Sequence, residues 1–169
     1  VGDLELEPSA LELVEGFVES LLEERLTRGL VVGVSTASEH WVGGYGVARD
    51  DRPGAPHGDT RFELGSITKV FTGLLLTEAV ARDEVALDTP LSSLLPEGIE
   101  LEEAGGPIQL VHLATHSSGL PRMPPAFKRM DPGQPYAGHG EDATLRYLDQ
   151  LRVRTLPGTR YAYSNLGVG

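Results

Sequence analysis

Apolar residues at Leu11, Val14, Val18, Leu21 and Leu22 recur at the spacing of one face of an α-helix. Ser9 and Glu12 stand at capping-box spacing where this run starts, and Gly29 closes it, so the pattern predicts an amphipathic helix starting at Ser9. Residues 30–35 and 41–48 are rich in β-branched and aromatic side chains and flank the polar Ser38-Glu39-His40, which predicts an antiparallel hairpin. Residues 50–60 carry Pro53, Gly54, Pro56 and Gly58 and read as a loop. A short strand is expected over 61–64, with Gly65 turning the chain tightly into a helix over 66–82. Ile67, Val70, Phe71, Leu74, Leu75, Leu76, Ala79 and Val80 cover most of that helix's circumference, the signature of a core helix. Shorter helices are predicted over 91–95, 109–115 and 142–151, and another begins at 164–167. The Pro- and Gly-rich stretch 121–140 is a loop whose Met123, Phe127, Met130 and Tyr136 either border a substrate pocket or cover the core.

Two or three strands do not make a sheet with both edges protected, and no stop signal follows the final helix start, so the chain reads as truncated at Gly169. The expected division is a first part, 1–82, holding the hairpin and the two long helices, and a partial helical subdomain, 83–169.

Composition narrows the function. A length of 169 residues with 40% apolar content can build a globular core, and a net charge of −11 disfavours nucleic acid and anionic membranes as partners. The absence of cysteine removes disulfides, thiolate nucleophiles and Cys-based zinc sites, and leaves the compartment open between cytoplasm and secretion after signal removal. No apolar run is long enough to cross a bilayer as a helix.

Candidate chemistry centres on Ser66 and Lys69, three residues apart at a helix start and therefore able to meet on one face. A serine hydroxyl needs a base to become a nucleophile, and a lysine serves only where burial or positive charge lowers its pKa. The N–H of Ser66, at the helix start, is placed to hold an oxyanion. Ten serines and two lysines yield such a pair by chance in roughly one shuffled chain in ten. The sole asparagine, Asn165, follows Tyr163 at Y-x-N spacing, a coincidence of about three in a hundred, so the two pairs together are informative. Tyr163 can shuttle protons beside a cation, and the Asn165 amide can bind a carbonyl or orient Lys69. The competing reading of both is a turn after Pro157-Gly158 with a helix cap at Ser164 or Asn165.

Phe62-Glu63-Leu64-Gly65-Ser66-Ile67-Thr68-Lys69, Leu113-Ala114-Thr115-His116-Ser117-Ser118-Gly119-Leu120-Pro121, Pro157-Gly158-Thr159 and Tyr163-Ser164-Asn165 together resemble class C β-lactamases and their relatives. Those relatives include D-Ala-D-Ala carboxypeptidases, β-lactamase-like esterases and D-aminopeptidases. The resemblance implies an α/β (α+β) fold of the β-lactamase/transpeptidase type, an antiparallel sheet flanked by helices plus a mainly helical subdomain. It also implies Ser66 as the acylated nucleophile, Lys69 as its base or proton relay, Tyr163 as the second proton-transfer group and Asn165 as a ligand for the substrate amide. Tyr163 in the second motif, where class A enzymes carry S-D-N, points to the class C branch. The substrate is a β-lactam, a D-Ala-D-Ala-type peptide or an ester, handled through an acyl-enzyme without a cofactor. The alternative on the same fold is a non-hydrolysing sensor or scaffold that binds penicillin or peptide.

The family's third motif, a K-T-G or H-x-G strand supplying the second oxyanion N–H, is absent from these residues. The missing carboxy-terminal segment is therefore the expected partner of this chain. Losing one oxyanion donor costs about 10²- to 10³-fold in rate, so the 169 residues alone are expected to be nearly inactive. His112 and His116 stand at i, i+4 at the end of the helix expected over 109–115, but no glutamate lies between them and no third ligand is evident, so no metal site is assigned. His116 is expected to hydrogen-bond the loop.

Overall fold

The computed structural model describes residues 2–49, 53–125 and 140–168. They form two compact units, 1–63 and 64–169, each with its own architecture.

The first unit is a three-stranded sheet with one long helix. Strands β2 (Gly29–Ser35) and β3 (Glu39–Gly46) pair antiparallel with Val32 opposite Gly43, as the hairpin pattern predicts. A two-residue strand β1 (Gly2–Asp3), too short to read from the sequence, adds parallel to β3 and gives the order β1-β3-β2. Helix α1 (Pro8–Glu23) buries the predicted stripe, with Val18 enclosed and Leu11, Val14, Leu21 and Leu22 half-buried.

The start of α1 corrects the expected capping box. Glu7 is the N-cap and makes no side-chain cap bond, while Pro8 occupies the first helical turn. Proline's fixed φ and missing N–H suit that position, so the N-cap falls two residues before Ser9, which lies inside the helix, unable to cap. The end comes six residues before Gly29. Arg25 takes φ 55°, and the N–H groups of Arg25 and Leu26 bond the carbonyls of Leu22 and Leu21, a Schellman closure without glycine.

The second unit opens with a 3₁₀ turn (Gly65–Ile67) running into α2 (Thr68–Ala81). The strand expected over 61–64 does not form; those residues are irregular. Further on come a 3₁₀ turn (Leu91–Ser93), α3 (Leu110–Ala114), α4 (Glu141–Asp149) and α5 (Asn165–Val168), at the places the apolar pattern predicted. The core of this unit gathers Ile108, Leu120, Leu148 and Val153, with Leu91, Leu95, Leu101, Leu113, Leu151 and Leu166 packed against it. Leu113 and Leu120 belong to the L-A-T-H-S-S-G-L-P stretch and Leu166 to the turn after Tyr163, so the core binds those two motifs together.

The expectation that the second long helix is buried is not met. No residue of α2 is buried; Val70, Phe71, Leu74 and Leu75 are all more than half exposed. Its apolar residues are spread round the whole helix, and the core cluster of the unit draws none of them in. Of the loop expected over 121–140, residues 126–139 lie outside the described residues, and with them Phe127, Met130 and Tyr136.

Candidate active site

Ser66 sits in the 3₁₀ turn and Lys69 in the first turn of α2. Gly65 makes this possible by adopting φ 52°, which redirects the chain into the helix immediately before the serine. Residues three apart along a helix are neighbours on its surface, so Ser66 and Lys69 share one face where the 3₁₀ turn runs into α2. The Ile67 N–H bonds the Leu64 carbonyl at 3.1 Å, and the N–H of Ser66 stands one residue ahead of it at the start of the helix.

The second motif arrives from a distant part of the chain. Leu156-Pro157-Gly158-Thr159 is a tight turn, with Gly158 at φ 79° and the Thr159 N–H on the Leu156 carbonyl at 3.3 Å. Beyond it, the chain is laced to the 116–122 loop. The Gly158, Ala162 and Asn165 N–H groups bond the carbonyls of Ser117, His116 and Arg122 at 2.9, 2.8 and 2.9 Å. Ser164 is buried, donates its hydroxyl to the Pro121 carbonyl at 2.7 Å, and accepts the Gly167 N–H at 3.0 Å as the N-cap of α5. The turn-and-cap reading of this segment is therefore correct for Ser164, and it coexists with a site.

This lacing brings all four sequence candidates together. The Tyr163 phenol oxygen is 2.7 Å from the Ser66 hydroxyl, across 97 residues of sequence. The Lys69 ammonium donates to Asn165 Oδ1 at 2.8 Å, and the Asn165 amide nitrogen donates to the Met123 sulfur at 3.2 Å. Lys69 Nζ lies 5.2 Å from the Tyr163 ring centroid, and the Arg122 guanidinium lies 5.1 Å from it. The Tyr163 phenol is consequently held below its ordinary pKa, first by the hydrogen bond from Ser66, then by Lys69 as hydrogen-bond donor and as charge, and last by the Arg122 charge, against partial desolvation.

Arg122 is a neighbour of the site that the sequence did not single out; Met123, expected to border a pocket or cover the core, and His116, expected to bond the loop, meet the site as well. His116 has left α3 altogether at φ 56°, so it does not share a helix face with His112. The Nδ1 atoms of the two histidines accept the Ser164 and Gln109 N–H groups, at 3.2 and 3.1 Å.

The site thus joins a serine hydroxyl to a phenol of lowered pKa, with a lysine and an arginine beside the phenol ring. Residues 14–169 match the Beta-lactamase family. The chain belongs to that family. Among its β-lactamase-family relatives, the D-alanyl-D-alanine-carboxypeptidase/endopeptidase AmpH of Escherichia coli K12 is 28% identical over 158 residues, covering 93% of this chain and 40% of AmpH. The β-lactamase of the same strain is 29% identical over 159 residues, covering 94% and 39%. The crystal structure of a β-lactamase/D-alanine carboxypeptidase from Yersinia pestis superposes with a TM-score of 0.76 at 26% identity, covering 95% of this chain and 46% of that one. A class C β-lactamase from Rhodobacter sphaeroides gives 0.65 at 33% identity, covering 90% and 40%. The β-lactamase/transpeptidase-type fold expected from the motifs is the fold of these neighbours. The chain spans about 40% of the length of the curated relatives it matches.

Proposed function

We propose that the protein is a serine acyl-hydrolase that forms an acyl-enzyme on Ser66 with a β-lactam, a D-Ala-D-Ala-type amide or an ester. The observation that carries this reading is the 2.7 Å contact between the Ser66 hydroxyl and a Tyr163 phenol flanked by two cations. Tyr163, as phenolate, accepts the serine proton while Oγ attacks the carbonyl carbon. The resulting oxyanion meets the Ser66 N–H, and its collapse breaks the bond to the leaving nitrogen or oxygen, which takes the proton back from Tyr163. Water then repeats the sequence, freeing the acid and restoring Ser66.

Lys69 acts through its charge: it favours the phenolate, relays protons to it and fixes Asn165 by the 2.8 Å bond. The amide nitrogen of Asn165 carries two hydrogens, one directed at Met123, which leaves the other for a substrate carbonyl. Turnover belongs in this reading to a polypeptide of the relatives' full length, in which the second oxyanion donor comes from outside these 169 residues.

Intact-mass detection of the full-length protein after exposure to a fluorescent penicillin and to an activated ester tests the proposal. Ser66 is expected to gain one acyl group that water later removes, and Ser66→Ala to abolish labelling. No adduct with either probe overturns the reading, and an adduct that never hydrolyses makes the protein a sensor.

A further inference from the structure

We propose that His116 is a positioning residue, which fixes the Tyr163 phenol on Ser66 by stacking on its ring while gripping the backbone beside it.

His116 stands where α3 ends in a Schellman closure: its own N–H bonds the Leu113 carbonyl at 3.1 Å, and the Ser117 N–H bonds His112 at 2.8 Å. The residue between those bonds must take a left-handed backbone, and His116 does so at φ 56°. Glycine is the usual occupant, because a Cβ there is disfavoured. A side chain kept at such a position calls for an account of what it touches.

It touches four successive residues, Tyr161 to Ser164, that lead into and begin the second motif. The His116 carbonyl accepts the Ala162 N–H at 2.8 Å, and its Nδ1 accepts the Ser164 N–H at 3.2 Å. Its ring meets Tyr161 edge to face at 5.8 Å and lies against Tyr163 at 4.5 Å between centroids, tilted by 35°. Backbone bonds to 162 and 164 set the position of the intervening Cα, and the imidazole closes one side of the Tyr163 ring, so the phenol's rotation about its side-chain bonds is confined. Its oxygen then rests 2.7 Å from Ser66. With the imidazole gone, that side of the ring opens, and among the described residues Lys69 and Arg122 alone border the ring that carries the Ser66 contact. A displacement of about 1 Å from reacting geometry costs on the order of 100-fold in rate.

The positioning claim stands on geometry alone, whereas its consequence for turnover rests on the acyl-hydrolase reading. The test uses full-length protein carrying His116→Gly and His116→Asn. Glycine relieves the left-handed backbone; asparagine tolerates it and restores an acceptor for Ser164, and both lack the ring. Both variants are expected to melt close to the parent. The Tyr163 titration, read by ¹³Cζ-tyrosine NMR and assigned with Tyr163→Phe, is expected to move upward in both, because the Ser66 hydrogen bond is the largest influence holding it down. Acylation of Ser66 by an activated ester is expected to fall about 10- to 100-fold. A folded variant of either kind whose Tyr163 titration matches the parent overturns the positioning. A titration that moves while acylation keeps its rate overturns its part in catalysis. A parent that is never acylated sinks the acyl-hydrolase reading and leaves the titration to judge His116.

Discussion

Tyr163 is the residue on which the site's electrostatics converge. Lys69 acts on the phenol both as hydrogen-bond donor and as charge, Arg122 only as charge. Lys69→Gln is therefore expected to raise the Tyr163 titration more than Arg122→Gln, and Ser66→Ala to raise it as well by removing the leading hydrogen bond. If the phenolate is the base, activity rises with pH as Tyr163 loses its proton, and any change that raises its pKa moves that limb to higher pH. The acylation rate of Arg122→Gln against pH checks the sign: a limb that stays in place or moves down removes Tyr163 as the base. The pairs Ser66/Lys69 and Tyr163/Asn165 were legible because both members of each pair sit within four residues of each other. The chemistry of Arg122 and His116 was not, because it depends on contacts with residues about 40 to 50 positions away along the chain, which no local spacing encodes.

The elements explain which local signals could be trusted. The stripe from Leu11 to Leu22 is a repeated signal over three turns, and the helix buries it as predicted. The S-x-x-E signal at Ser9 rests on two residues and lost to Pro8, whose ring dictates the first turn by itself. At the other end, Arg25, Asp83 and His116 all take left-handed backbones at helix ends where a glycine search finds nothing. Gly119 is the opposite case, a glycine that geometry requires. It takes φ 79°, and a Cβ there would come 2.8 Å from the Thr155 carbonyl oxygen and 3.1 Å from Val153 in the core. Gly119→Ala combines left-handed strain with overpacking and is expected to cost about 2–4 kcal/mol in a denaturant titration. Because this loop carries His116 and Pro121, a substitution that leaves stability unchanged argues that the loop is looser than the lacing around Ser164 implies.

For the chain as a whole, the sharpest mismatch between composition and surroundings is α2. The periodicity of its apolar residues was readable, but burial is a property of what packs alongside, and the sequence of one helix does not report its neighbours. Among the described residues its Leu74 and Leu75 are 60% and 66% exposed, so the first turns carry Ser66 and Lys69 while the rest presents an apolar surface. Apolar area of this kind drives association and dye binding in water. The 169-residue chain is expected to bind a hydrophobic fluorescent dye and to associate as concentration rises, and Leu75→Glu is expected to lessen both. Glutamate is a good helix former, so at this exposed position the substitution changes stability by about 0.5 kcal/mol or less. Made in a polypeptide of the relatives' full length, it becomes a test of cover: a carboxylate forced into an apolar interface loses several kcal/mol, and a position still facing water loses almost nothing. Unchanged dye binding by the short chain would show that the surface lies elsewhere than on α2.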